Sequence, residues 1–131
     1  MENKTIFDSI IDGSIPSYKV YEDNETLVIL DINPINKGHC LVIPKTRSRN
    51  FTDLENDTYL HMMSIVKKVA EKLKQTYAPP KVGVIIEGFE VEHTHIHVFP
   101  AFKPSDFRKN PEDKLKLTTE EMNEVKDEVK I

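Results

Sequence analysis

Three of the chain's five histidines fall at alternate positions in Glu92-His93-Thr94-His95-Ile96-His97-Val98-Phe99-Pro100. On a β-strand, residues two apart project to the same side, about 7 Å from one to the next. On a helix they would point in nearly opposite directions. The interleaved Thr94, Ile96 and Val98 are β-branched and suit a strand, and Pro100, with no N–H to give, marks its end. The spacing therefore predicts one row of imidazoles, His93, His95 and His97, on one strand face. Three chemistries compete for such a row. Half-buried strand histidines would account for one histidine more readily than for three. A His-x-His pair could chelate zinc, which needs further ligands elsewhere. One imidazole could instead attack phosphorus while its neighbours hold charge and orientation, giving an adduct that water removes.

The bulk numbers bound the scaffold for these residues. A length of 131 residues allows one domain with a real core, taken here as 1–131, and is too short for two ordinary ones. A hydrophobic share of 38% beside 31% charged residues is that of a soluble globular protein. A net charge of −4 argues against a general nucleic-acid binder. No apolar run is long enough for a membrane span, and Met-Glu-Asn-Lys-Thr lacks a signal-peptide pattern. The single cysteine, Cys40, excludes an internal disulfide and any cysteine-pair zinc ligation, which points to the cytosol.

The elements that must position the histidines can be read in order. Ile6, Phe7, Ile10 and Ile11 form a helical stripe, with Gly13 just past its end. Lys19 to Glu22 and Thr26 to Asp31 read as a hairpin turning at Asp23-Asn24. Asp31-Ile32-Asn33-Pro34-Ile35-Asn36-Lys37-Gly38 is a loop dense in turn formers, and a third strand runs from His39 to Pro44. Asp31 and His39 thus flank one loop. An Asx turn alone would explain Asp31.

Thr52 to Glu55 matches a capping box, followed by a long helix with Leu60, Met63, Val66, Val69, Ala70, Leu73 and Tyr77 inward, Met62 a further core candidate and His61 solvated. Pro79-Pro80 stops it. Lys81 to Glu87 shows little alternation and reads as a central strand, and Gly88-Phe89 as a tight link into the histidine strand. Phe102, Pro104, Phe107 and Pro111 mark an irregular segment. A second capping box, Thr118 with Glu121, opens a short terminal helix with Met122, Val125 and Val129 inward. The fold class is α+β: an antiparallel sheet of about five strands, one long and one short helix, and a C-terminal helical tail.

His93-Thr94-His95-Ile96-His97-Val98-Phe99 resembles the histidine triad (HIT) signature, His-φ-His-φ-His-φ-φ with φ apolar. Four further stretches agree in order: Phe7 to Ile11 with Ile15-Pro16, Val20-Tyr21-Glu22-Asp23, Asp31-Ile32-Asn33-Pro34, and Gly38 to Lys45. The resemblance spans about residues 5–102, leaves 103–131 outside as a tail, and is to the bacterial-type nucleotide-binding and hydrolase branch. It implies a homodimer joined sheet to sheet, a purine nucleotide substrate, and no cofactor or catalytic metal. It also implies reaction at the α-phosphorus of a nucleoside phosphate derivative, with phosphoramidates favoured. Dinucleoside polyphosphate hydrolysis, or a regulatory module with little turnover, is the alternative.

By the same resemblance His95 is the nucleophile, His97 holds the phosphate oxygens, and His93 and His39 complete a tetrad. Asp31 accepts the ribose hydroxyls, and Ile6, Phe7, Ile10, Ile15, Ile29, Ile32 and Leu41 line the purine slot. Gly88 and Glu90 lie at the phosphate or leaving group. The chain departs from the family pattern at Thr94 (apolar in the signature), at Ile86 and Glu90 (asparagine and a serine-like residue in relatives), and at Thr5 and Asp8, where some relatives place a zinc-binding cysteine pair.

Overall fold

The computed structural model describes residues 4–131. Its elements are α1 (Ile6–Ile11), β1 (Lys19–Glu22), β2 (Thr26–Leu30), β3 (Cys40–Pro44), α2 (Asn56–Tyr77), β4 (Lys81–Ile85), β5 (Ile96–Ala101) and α3 (Thr119–Val129), with short 3-10 turns at 51–53, 104–108 and 111–113. The strands form one antiparallel sheet in the order β1-β2-β3-β5-β4.

Both sheet faces are covered, so β2 and β3 are buried at every position. Alternation sends Val28, Leu30, Cys40, Val42, Ile96 and Val98 into the core beneath α2 and α3. Met62, Ile65, Val66, Val69 and Leu73 meet them from α2, and Met122, Val125 and Val129 from α3. Burying a side chain of this size contributes about 1.5–3 kcal/mol, so this stripe holds α2 on the sheet. The opposite sheet face carries a second cluster in which Phe7 and Ile10 of α1 pack on Leu27, Ile29, Leu41 and Ile43. The register sets Ile29, Leu41, His97 and Ile85 in one row across that face, which places the site there.

Gly38 shows why one position in the loop before β3 must be glycine. Its φ is +94°, and a Cβ there would sit 2.6 Å from Tyr77 Cε2 and 2.9 Å from Leu73 Cδ2.

Several expectations from sequence are corrected. β5 begins only at Ile96, so His93 and His95 precede the strand and His97 alone lies on it. The reason is Thr94: its N–H goes to Ser48 O at 2.8 Å and its Oγ1 to Ser48 Oγ at 2.7 Å, pairing the segment with the 45–50 loop. β4 is an edge strand, with Lys81 and Val84 exposed, and the link to β5 spans residues 86–95 rather than a tight turn. The first capping box is absent: Thr52 lies in a 3-10 turn, and Glu55 at the start of α2 makes no side-chain cap. In α2, Met62, Val66, Val69 and Leu73 are buried as expected and Ile65 joins them, whereas Met63, Ala70 and Tyr77 are only partly buried and Leu60 is exposed. His61 is held by Asp23 Oδ2 at 2.7 Å rather than simply solvated. β2, β3 and β4 fall within one or two residues of the expected bounds, and the Thr118–Glu121 box is present.

Candidate active site

The loop between β2 and β3 sets the protonation of two histidines. It is closed by Asp31 N–H to His39 O at 2.9 Å and by His39 N–H to Asn36 O at 3.1 Å. Inside it, Ile35 N–H donates to His39 Nδ1 at 3.0 Å. A neutral imidazole carries one proton, so His39 must hold it on Nε2. That atom lies 2.9 Å from His97 Nδ1, which therefore accepts, leaving the His97 proton on Nε2. Burial drives both rings to the neutral form: His39 well below the ordinary histidine range, and His97 down to about 4. The relay turns His97 into a fixed N–H donor.

His95 is oriented the other way. Its Nδ1 is 2.7 Å from the His93 carbonyl, which can only accept, so Nδ1 bears a proton and the neutral ring has its lone pair on Nε2. The ring is packed by Phe7 at 4.8 Å and by His97 at 5.1 Å between centroids. His93 does not reach the cavity. It is fully buried, gives Nε2–H to Pro44 O at 2.9 Å, and among the described residues has no hydrogen-bond partner at Nδ1, which lies 3.6 Å from Asp8 Oδ1. Burial lowers its pKa too. His93 thus anchors the backbone whose carbonyl orients His95.

Asp31 performs two jobs. Its Oδ1 accepts Asn33 N–H at 2.8 Å, so the Asx turn is real. Its Oδ2 lies 3.5 Å from His39 Nε2 and 3.8 Å from His97 Nδ1. Because both imidazoles are neutral, these are dipolar contacts and not ion pairs. Burial raises the Asp31 carboxyl above its ordinary range, with the Asn33 N–H and the Lys114 charge pulling against it.

These groups line a cavity of about 440 Å³. Of the residues expected from sequence, Phe7, Asp31, His39, Leu41, Glu90, His95 and His97 line it. Ile10 and Ile29 are buried in the cluster behind Leu41 instead. Ile6, Ile15 and Ile32 are not in its wall and are exposed, Ile32 by 68%. Ile32 follows Asp31 outside the strand, so no sheet alternation turns it inward. Gly88 borders a neighbouring cavity of about 170 Å³ that shares Glu87 and His95. Ile86 packs against the α2 core. The sequence reading missed Glu87 and, from the segment set aside as a tail, Phe107, Lys109 and Lys114. No motif marks these lysines, which read as ordinary surface charge.

The HIT domain model matches residues 12–104. The chain belongs to the HIT family. An uncharacterized HIT-like protein of Borreliella burgdorferi is 39% identical over 127 residues, covering 92% of this chain and 91% of the relative. The adenosine 5′-monophosphoramidase of Saccharomyces cerevisiae is 35% identical over 96 residues, covering 72% of this chain and 61% of the yeast protein. The crystal structure of a Hit-like protein from Bartonella henselae, described as involved in cell-cycle regulation, superposes with a TM-score of 0.83 at 30% identity, covering 98% and 96% of the two chains.

The donor sets of this HIT chain are poorly suited to a metal. Asp31, His39 and His97 offer ligand atoms within 4.8 Å of one another. His39 has no free lone pair, however, since Nδ1 takes the Ile35 N–H and Nε2 carries the proton. At the other candidate position, Asp8 is engaged by Thr5 N–H at 2.8 Å and by the Arg47 guanidinium. Burial opposes ionisation of Asp8, but Arg47 and the Thr5 N–H outweigh it and hold the carboxyl below its usual range. A carboxylate paired with a guanidinium there replaces a thiolate pair.

Proposed function

We propose that this HIT protein hydrolyses purine nucleoside 5′-phosphoramidates through a covalent nucleotidyl-histidine intermediate on His95. The observation that supports this most is the pair of opposed tautomers. A lone pair on His95 Nε2 and a proton on His97 Nε2 stand side by side on one cavity wall, a nucleophile beside an oxyanion donor. His95 Nε2 forms a bond to the α-phosphorus as the P–N bond to the leaving group breaks. The amine carries away the electron pair and takes up a proton from solvent. Water then attacks phosphorus and releases a proton to solvent, the bond to His95 breaks with its electron pair returning to Nε2, and the nucleoside monophosphate leaves. His97 Nε2–H holds a phosphoryl oxygen through both steps. Asp31 Oδ2 accepts from the ribose hydroxyls, and Phe7 and Leu41 contact the base.

Glu87 and Glu90 in the cavity wall favour an amine, which becomes cationic, over a departing phosphate anion. This ranks phosphoramidates above dinucleoside polyphosphates. The protein acts as a homodimer in this reading. Ile131 N–H caps Val20 O on β1 at 3.2 Å, whereas the outer edge of β4 is open to a second sheet.

The test combines rapid quench and intact-mass measurement on an adenosine or guanosine 5′-phosphoramidate. Wild type should show turnover and a nucleotide adduct, while His95→Ala should bind nucleotide but show neither. Full activity in His95→Ala would refute the covalent mechanism.

A further inference from the structure

The cavity has too little uncommitted positive charge for an anionic ligand unless the tail supplies it. Asp31, Glu87 and Glu90 line the wall. Burial keeps His39 and His97 neutral at pH 7. Lys109 is already spent: its Nζ donates to Ile35 O at 2.6 Å and lies 3.7 Å from Asp106 Oδ1. The other lysine in the wall is Lys114, and its ammonium makes no hydrogen bond or ion pair among the described residues.

Its backbone is nevertheless fixed. Lys114 N–H reaches Pro111 O at 3.4 Å, and the next residue, Leu115, gives its N–H to Pro34 O at 2.9 Å, on the loop that carries Asp31 and His39. The charge is felt at Asp31, His39 and His97 alike. An ammonium without a partner, on a half-buried side chain that lines a cavity, is a poor structural element and a good ligand group.

We infer that Lys114, beyond the 12–104 match to the family model, is a substrate-binding residue whose ammonium pairs with the phosphoryl oxygens of the bound nucleotide. This rests on the nucleotide reading above and adds to it the group that compensates the phosphate charge. It also makes the 109–115 segment part of the site, because Lys109 and Leu115 hold the loop from which Ile35 sets the His39 tautomer.

The test compares wild type, Lys114→Met and Lys114→Arg for binding of adenosine 5′-monophosphate and of adenosine, by calorimetry at low and moderate salt. Lys114→Met should weaken the monophosphate by about tenfold or more and adenosine by less than about twofold. Lys114→Arg should recover most of the loss, and the salt dependence of monophosphate binding should flatten in Lys114→Met. Equal losses for both ligands would overturn the inference, since Lys114 would then act only through the fold or through Asp31. Unchanged monophosphate affinity in Lys114→Met would overturn it as well. If wild type bound neither ligand, the nucleotide reading itself would fall, and this inference with it.

Discussion

The relay from Ile35 through His39 to His97 makes a quantitative statement about pH. A proton added to His97 Nδ1 would face the Nε2–H of His39 at 2.9 Å, and the ring is already desolvated. The unfolded chain meets neither penalty, so its histidine titrates near the ordinary 6.5 while the folded one waits until about 4. Because the folded value is depressed, the unfolded state binds the proton first as pH falls. The contribution is fully present above about 6.5 and is lost as pH drops from there to about 4. At 1.36 kcal/mol per pH unit, the loss at pH 5 is about 2 kcal/mol, reaching roughly 3 kcal/mol at pH 4.

The assay is urea unfolding at pH 7 and pH 5 for wild type and His97→Gln, a side chain that can still accept from His39. Other groups titrate too: the raised Asp31 carboxyl works in the opposite sense, stabilising the folded chain as it takes up a proton. Terms from groups away from His97 are shared by both proteins, so the difference between their pH profiles reads His97 together with the His39 and Asp31 side chains it touches. Wild type should lose about 2 kcal/mol more than His97→Gln between these pH values. Parallel profiles would refute the relay and, with it, the assignment of His97 as a fixed donor.

Asp31→Asn should keep the Asx turn, and hence the fold, yet weaken nucleoside monophosphate binding by roughly ten- to a hundredfold while inorganic phosphate binding hardly changes. Calorimetry checks this, and an unchanged monophosphate affinity would leave Asp31 with its turn alone. Gly38→Ala should cost about 2–5 kcal/mol in urea unfolding, from the positive φ together with the contacts to Tyr77 and Leu73. A loss below about 1 kcal/mol would show that those side chains yield freely. Thr94→Val should lower stability by about 1 kcal/mol through the lost Ser48 bond, and Ser48→Ala should add little on top of it. Additive effects in the double variant would mean the two hydroxyls act apart.

Local chemistry made much of this protein legible in its sequence. Thr118 and Glu121 cap each other across three residues, and Ala78, in the left-handed conformation, ends α2 just before Pro79-Pro80. Such signals depend on neighbours within one turn, so they survive without tertiary context. The histidine spacing was equally informative about which side chains come together, since His95 and His97 share one cavity wall. It was misleading about what holds them, because Thr94 hydrogen-bonds Ser48, a residue 46 positions away.

What only the tertiary structure decided is the protonation and the reach of the site. Whether His95 or His97 offers a lone pair depends on the His93 carbonyl in one case and on Ile35 N–H, passed through His39, in the other. Neither partner can be read from residue type, since every backbone has the same groups and only the fold aims them. Lys109 and Lys114 are a further case: in sequence they are two of 18 basic residues, alike in composition. The tail's path over the 31–38 loop gives one a carbonyl to hold and leaves the other facing the cavity. The sequence by itself determined most of the elements, the β1–β2 and β4–β5 pairs and the clustering of histidines, because these follow from periodicity and short-range bonding. The edge position of β4, the tautomers and the cavity wall come from contacts between residues far apart in the chain, which no local pattern encodes.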